Sequence, residues 1–177
     1  MLPDAYVSPP AVRANLVQGG GGTFVDANGS SRGISNDQDR ARLLQLRQLC
    51  DVLVTDGETA RLENYGVPKS CDLAVITKRG FTPRQSDTEH HYIELNLSPA
   101  IAIAELEQRG YKSILLEVGP ALLTEIFKAR LVDELCLTNT QHSQPDLARL
   151  GIASAQCVYQ EVVEDTSFTV WREIQPL

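Results

Sequence analysis

Residues 113–138 read SILLEVGPALLTEIFKARLVDELCLT. The run opens on a short unbroken apolar segment, 113–117, of the kind found in a parallel strand covered on both faces. Gly119 and Pro120 follow, and proline suits the first turn of a helix, where its missing N–H is not needed. From 119 to 129, Leu122, Leu123, Ile126 and Phe127 recur at helical spacing, which predicts a helix with that face turned inward. Another strand starts at Leu135 and continues to Thr138. Strand, helix and strand in this order form the unit from which parallel sheets are assembled.

The same alternation extends upstream. Residues 11–18, AVRANLVQ, predict a strand that runs into the glycines at 19–22. Asn36 is placed to cap a helix from Asp37 to about Gln48, with Asp37 and Asp39 favourable against its dipole. Residues 51–55 predict a buried strand, 59–65 a brief helix, 72–77 a strand, 78–91 a polar irregular stretch and 91–95 a short strand. Ser98 and Pro99 mark the start of a helix that Gly110 ends. Two alternating segments, 156–164 and 167–173, flank Glu164 and Asp165 and predict an antiparallel hairpin. The expected fold class is α/β, a mostly parallel central sheet flanked by helices with a C-terminal antiparallel hairpin. One domain is expected over residues 1–177.

Composition narrows the function classes. The 177 residues carry 16 basic and 23 acidic side chains, a formal charge of −7, the wrong sign for a protein that neutralises nucleic-acid phosphates. No apolar run approaches the roughly 18 residues of a membrane span, and the N-terminus shows no basic leader with an apolar core. Cys50, Cys71, Cys136 and Cys157 have no metal-ligand spacing and aliphatic neighbours, so all four read as small buried hydrophobes in a reducing cytoplasm, with no metal site. The adjacent His90 and His91 read as solvated.

In an open α/β sheet, ligands collect at the carboxyl ends of the strands. Three such ends here are unusual: residues 19–22, the turn Asp56-Gly57-Glu58-Thr59, and Glu117-Val118-Gly119-Pro120. The first and third each have two readings. The glycines at 19–22 form either a plain turn or a cradle, and Gly119-Pro120 either an ordinary helix entry or an anion site at a helix N-terminus. Arg47 either offsets the negative end of its helix or clamps an anion with its guanidinium. Asp56 and Glu58 bring two carboxylates to a turn that would meet a polyanion, so Glu58→Gly is expected to tighten such a ligand.

Taken in order, seven segments resemble one family: NLVQG at 15–19, VDANGSSRGISNDQDR at 25–40, LQLRQLCDVLV at 44–54, TARLENY at 59–65, AVIT at 74–77, LLEVGPALL at 115–123 and LVDELCLT at 131–138. They are similar to the pyrimidine reductase domain of riboflavin biosynthesis, within the wider dihydrofolate-reductase-like fold, and most to its stand-alone actinobacterial versions. The resemblance covers about residues 12–138. It implies a homodimeric, cytoplasmic reductase that takes hydride from NADPH and reduces the ribosyl group of a phosphoribosylamino-pyrimidine to a ribityl group. On the family pattern Ser31, Arg47 and Glu117 contact the small-molecule substrate. Thr59, Glu63, Gly119, Pro120, Ala121, Leu122 and Leu123 lie on the NADPH side, and the resemblance leaves the catalytic proton donor unknown. The chain departs from the pattern at three turns: Gly19 to Gly22 replace Ser-x-Asp-Gly, Asp56 to Thr59 replace Gly-x-Gly-Thr, and Val118 replaces the first glycine of Glu-Gly-Gly-Pro. The alternative is a non-catalytic paralogue that binds a nucleotide-like ligand or serves as a partner subunit. Everything rests on the turns at 19–35, 55–63 and 117–123 sharing one cleft.

Overall fold

A computed structural model describes residues 2–8 and 10–177. Its eight-stranded sheet comprises β1 (Val12–Gln18), β2 (Val52–Asp56), β3 (Asp72–Ile76), β4 (Tyr92–Leu95), β5 (Ile114–Leu116), β6 (Glu134–Asn139), β7 (Ile152–Val163) and β8 (Thr166–Pro176). The helices are α1 (Asp4–Val7), α2 (Asp37–Arg47), α3 (Gly57–Leu62), α4 (Pro99–Gln108) and α5 (Pro120–Lys128). Across the sheet the order is β4-β3-β2-β5-β1-β6-β8-β7. The first six strands are mutually parallel, β8 pairs antiparallel with β6, and β7 closes the hairpin on β8. This is a dihydrofolate-reductase-like α/β architecture, as the resemblance implied.

Both faces of the parallel region are covered, which is why its strands read as unbroken apolar runs. Val52 and Val54 of β2 point to one side with Ala14, Leu116 and Leu137, where α4 and α5 supply Ile103, Leu106, Leu123, Ile126 and Phe127. Leu53 points to the other side with Leu73, Val75, Leu115 and Cys136, under Leu46 of α2 and Ala60 of α3. The helices α2 and α5 therefore approach the same carboxyl edge from opposite faces.

Several local expectations need correction. The polar positions of β1 do not face water: Arg13 is buried, its Nε donating to Glu134 Oε1 at 2.6 Å and its Nη2 to the Tyr6 carbonyl at 3.1 Å. Arg172 Nε meets the other Glu134 oxygen at 2.8 Å, so one enclosed carboxylate ties β1, β6, β8 and the short α1 together. Cys157 is exposed while Cys50, Cys71 and Cys136 are buried, because Cys157 lies on the edge strand β7. His91 is solvated as expected, whereas His90 is part-buried with Nδ1 3.3 Å from Asp72. Asn36 caps α2 by accepting from the Asp39 N–H at 2.9 Å, but the Ser98 side chain makes no capping bond at α4. The hairpin is longer than expected at both outer ends, and Glu164 at its tip adopts φ 57°. No helix among the described residues is long and apolar enough to cross a membrane.

Candidate active site

In the sheet order, β2, β5 and β1 are parallel neighbours. Their carboxyl ends therefore stand side by side and deliver the turns at 55–63, 117–123 and 19–35 to one edge. Side chains bind these turns to one another. Ser31 donates to Glu63 Oε1 through its N–H at 2.9 Å and its Oγ at 3.2 Å, while the Ser30 hydroxyl reaches the same oxygen at 2.6 Å. Arg32 Nε pairs with Glu63 Oε2 at 2.7 Å. Burial alone would raise the Glu63 pKa, but these donors hold it below the usual carboxylate value. Glu63 is reached because α3 stops at Leu62 and the chain turns away through Asn64 at φ 51°, a left-handed position that asparagine tolerates.

A more compact junction joins the second and third turns. Asp56 caps α3: its Oδ1 accepts from the N–H groups of Glu58 (2.9 Å) and Thr59 (2.8 Å). Its Oδ2 accepts from the Thr59 hydroxyl at 2.7 Å and, across to the next strand, from the Gly119 N–H at 2.8 Å. Four donors thus converge on one carboxylate at the entrance to α5. A Cβ on Gly119 would stand 3.4 Å from Thr59 Oγ1 and 3.5 Å from Asp56 Oδ2. Of the remaining cofactor-side residues, Pro120 opens α5 and has no N–H to offer. Ala121 is exposed and Leu122 half-buried in the first turn, whose N–H groups have no acceptor within the helix. Leu123 is fully buried in the core and its N–H bonds the Gly119 carbonyl at 3.0 Å.

Arg47 and Glu117 meet on the α2 side. Arg47 Nε lies 2.9 Å from Glu117 Oε1, its Nη2 bonds Oε2, and the Tyr65 hydroxyl donates to Oε2 at 2.6 Å. The guanidinium also sits 5.3 Å from the centre of the Tyr65 ring. Burial alone would lower the Arg47 pKa, but the Glu117 charge and hydrogen bonds push it above its ordinary value. Burial, then the Glu117 charge, raises the Tyr65 hydroxyl likewise. Arg47 and Glu117 neutralise each other, so neither presents a free charge to a ligand in this state.

Two features escaped the sequence reading. Asp39, read there only as a dipole partner, is buried at 6% exposure on the inward side of α2. Its Oδ2 accepts from Ser35 Oγ at 2.6 Å, and Thr138 on β6 also acts to lower its pKa. Burial raises its pKa and the nearby Glu117 charge adds to this, against the hydroxyl donors and Arg40. The second feature is a cavity of about 420 Å³ lined by Asp56, Gly57, Glu58, Arg61, Ile76, Thr77, Lys78 and Arg79. Arg61, Lys78 and Arg79 make no ion pair among the described residues. The cations at 78 and 79 belong to a stretch read as irregular; their position directly after a parallel strand was the available signal.

The cavity is lined from 56–61 and 76–79 and by none of the residues at 19–35 or 117–123, so it is not the shared cleft the sequence led one to expect; the strand order defines an α/β protein of the dihydrofolate-reductase-like class. The chain belongs to the RibD C-terminal domain family, which its residues 10–140 match. That is a riboflavin-pathway pyrimidine reductase family. Among solved structures, the fold is similar to a pyrimidine reductase-like protein from Corynebacterium diphtheriae, with TM-score 0.74 and 19% identity over 99% of this chain and 96% of that one. RibD from Acinetobacter baumannii gives TM-score 0.72 at 13% identity, over 94% of this chain, which spans 58% of that protein's length. Dihydrofolate reductase from Enterococcus faecalis gives 0.60 at 13% identity, over 91% and 95% of the two chains. Among curated proteins none matches.

Proposed function

We propose that this chain is an NADPH-dependent reductase of the riboflavin-pathway type, acting on the ribosyl group of a phosphoribosylamino-pyrimidine or a close relative. The observation that carries the reading is the pairing of two anion-holding features at one sheet edge. The donors of Thr59 and Gly119 already hold a carboxylate, and the adjoining cavity presents Arg61, Lys78 and Arg79. Both fit the phosphates of a nicotinamide dinucleotide, which favours helix N-termini and cationic pockets. Thr59, Gly119 and the first turn of α5, from Pro120 to Leu122, would hold the diphosphate, with Arg61, Lys78 and Arg79 on the outer phosphate. Glu63 would act indirectly, by holding Ser31 against the cleft. When bound, NADPH supplies hydride. Of the chain's own residues, Ser31 and the Arg47–Glu117 pair would meet the substrate, with the pair having to open to present a charge to it. Reduction also takes up a proton, and Asp39, whose pKa burial raises, is the enclosed carboxyl that would be placed to supply it. A homodimer in the cytoplasm and one domain over residues 1–177 belong to the same reading.

The test is to titrate NADPH by its fluorescence, then add the phosphoribosylamino-pyrimidine and follow absorbance at the nicotinamide band. Saturable binding with substrate-dependent oxidation is the expected result, and replacing both Lys78 and Arg79 by alanine should weaken NADPH at least tenfold. Absence of saturable binding at millimolar NADPH sinks the reading. It would favour the non-catalytic alternative, a paralogue that binds another nucleotide-like ligand or serves as a partner subunit, for which the self-neutralised Arg47 and Glu117 are the specific support.

A further inference from the structure

Thr55, the penultimate residue of β2, is fully buried, yet its hydroxyl has no partner among the described residues. A buried hydroxyl without a hydrogen bond destabilises a fold, so its presence asks for a reason. The strand register identifies its neighbours. Thr55 stands opposite Val75 of β3. On the other flank Val54 stands opposite Leu116, so the next step along both strands sets Thr55 beside Glu117. The Glu117 N–H donates to the Val54 carbonyl at 2.8 Å and carries the ladder to that point. Side chains alternate along a strand, so Thr55 shares the α2 face with Leu53. There Leu53, Val75 and Ala60 of α3 are apolar, and the polar neighbour in the row is Glu117. Asn15 of β1 flanks Glu117 on the far side, one step beyond the pairing of Ala14 with Leu116.

In the closed pair, Arg47 and Tyr65 supply the side-chain donors that Glu117 uses. Release of Arg47 leaves an enclosed carboxylate with Tyr65 alone, and such an uncompensated charge is the main obstacle to opening a buried ion pair. We propose that Thr55 is a standby donor: its hydroxyl takes the Glu117 carboxylate when Arg47 leaves, which lowers the energy of the open arrangement. Both backbones stay in the ladder, so the exchange is one of side chains. Thr55 thus acts through Glu117 on Arg47, a positioning role. The inference rests on the reductase reading for why Arg47 opens, whereas the exchange of donors stands on the register and on the unpartnered hydroxyl.

The experiment is a double-mutant cycle read by urea unfolding, with Thr55→Val made in the unaltered protein and in Arg47→Ala, where the pair is permanently open. In the unaltered background valine removes an unpaired hydroxyl, and the folded-to-unfolded ratio should rise about fivefold. In Arg47→Ala it removes a donor to a charged group, and the ratio should fall about tenfold. Thr55→Ser keeps the hydroxyl and should lose the same amount in both backgrounds. The same change for valine in both backgrounds would leave Glu117 to Asn15 or to water and overturn the proposal, as would a serine variant that reverses sign as valine does. Should Arg47→Ala fail to fold, Arg47→Met, which keeps the apolar stem, supplies the open background. Turnover of the phosphoribosylamino-pyrimidine then separates the proposal from the reading it serves. Thr55→Val should raise KM severalfold at unchanged kcat, with KM retained in Thr55→Ser. A sign reversal in stability without a change in KM upholds the standby donor and instead removes the opening of Arg47 from the reaction.

Discussion

At Asp39 a carboxyl is enclosed with the Ser35 hydroxyl as donor and, among the described residues, no ion-pair partner, whereas at Arg47 and Glu117 opposite charges are enclosed together. The two arrangements respond differently to substitution. Burial, the largest influence on Asp39, raises its pKa on folding. Its stabilising contribution is therefore full below the ordinary aspartate value and is lost as pH rises through the higher folded value. Asp39→Asn, which cannot ionise, should match the unaltered protein below pH 4 and gain on it as pH rises through the folded value, with no further gain above that value. Urea unfolding across that range checks the direction, and a deficit that grows with pH would sink the argument. For Arg47→Ala, loss of one partner leaves Glu117 charged and enclosed, and breaking such a pair costs about 3 kcal/mol. A role limited to offsetting the helix dipole would predict no more than about 1 kcal/mol. Chemical denaturation therefore separates the Glu117 ion pair from simple dipole compensation at Arg47. Neither arrangement was legible locally, because Asp39 and Arg47 both sit in a helix whose polar sequence shows no obvious inward face, and the partner of Arg47 comes from the end of β5.

Elements with long apolar periodicity or continuous apolar runs were legible and their neighbours less so. The expected helices at 37–48 and 119–129 and the strands at 51–55 and 72–77 agree with α2, α5, β2 and β3 to within about a residue at either end. Helix α3 starts two residues earlier than expected because Asp56 caps it, a six-residue element being too short to show a period. The four glycines after β1 fold into a tight turn rather than an open cradle, with Gly21 and Gly22 at φ 70° and 74°. Gly19 itself has an ordinary φ of −93°, so its lack of a side chain serves a close approach. A Cβ there would lie 2.7 Å from Ile34 Cγ2, which folds the 26–35 loop back over the end of β1. Gly19→Ala should thus cost about 1–3 kcal/mol through overpacking. Its effect should combine less than additively with Ile34→Ala, since removing the isoleucine opens the space. A double-mutant cycle by thermal unfolding gives the coupling, and additive losses would mean that the loop packs elsewhere.

Across the whole molecule, the formal charge of −7 conceals a local reversal. Arg61 comes from α3, while Lys78 and Arg79 follow β3, and only parallel pairing of β2 with β3 puts them around one cavity. The sheet order has the same character. Neighbouring segments in the chain do not pair throughout: β5 enters between β1 and β2 and so inserts Glu117 and Gly119 among the turns that follow those strands. By itself the sequence determined the class of fold, the positions of most elements, the hairpin and the ordered motifs that lead to the reductase family, because hydrophobic periodicity, caps and turn residues act over a few neighbours. Only the tertiary structure decided that Asp56 bonds across to Gly119, that Arg47 and Glu117 neutralise each other, and that Ser31 hangs from Glu63. Those pairings join residues 32 to 70 positions apart, and electrostatic and hydrogen-bond energies depend on distance in space, which one-dimensional order does not carry.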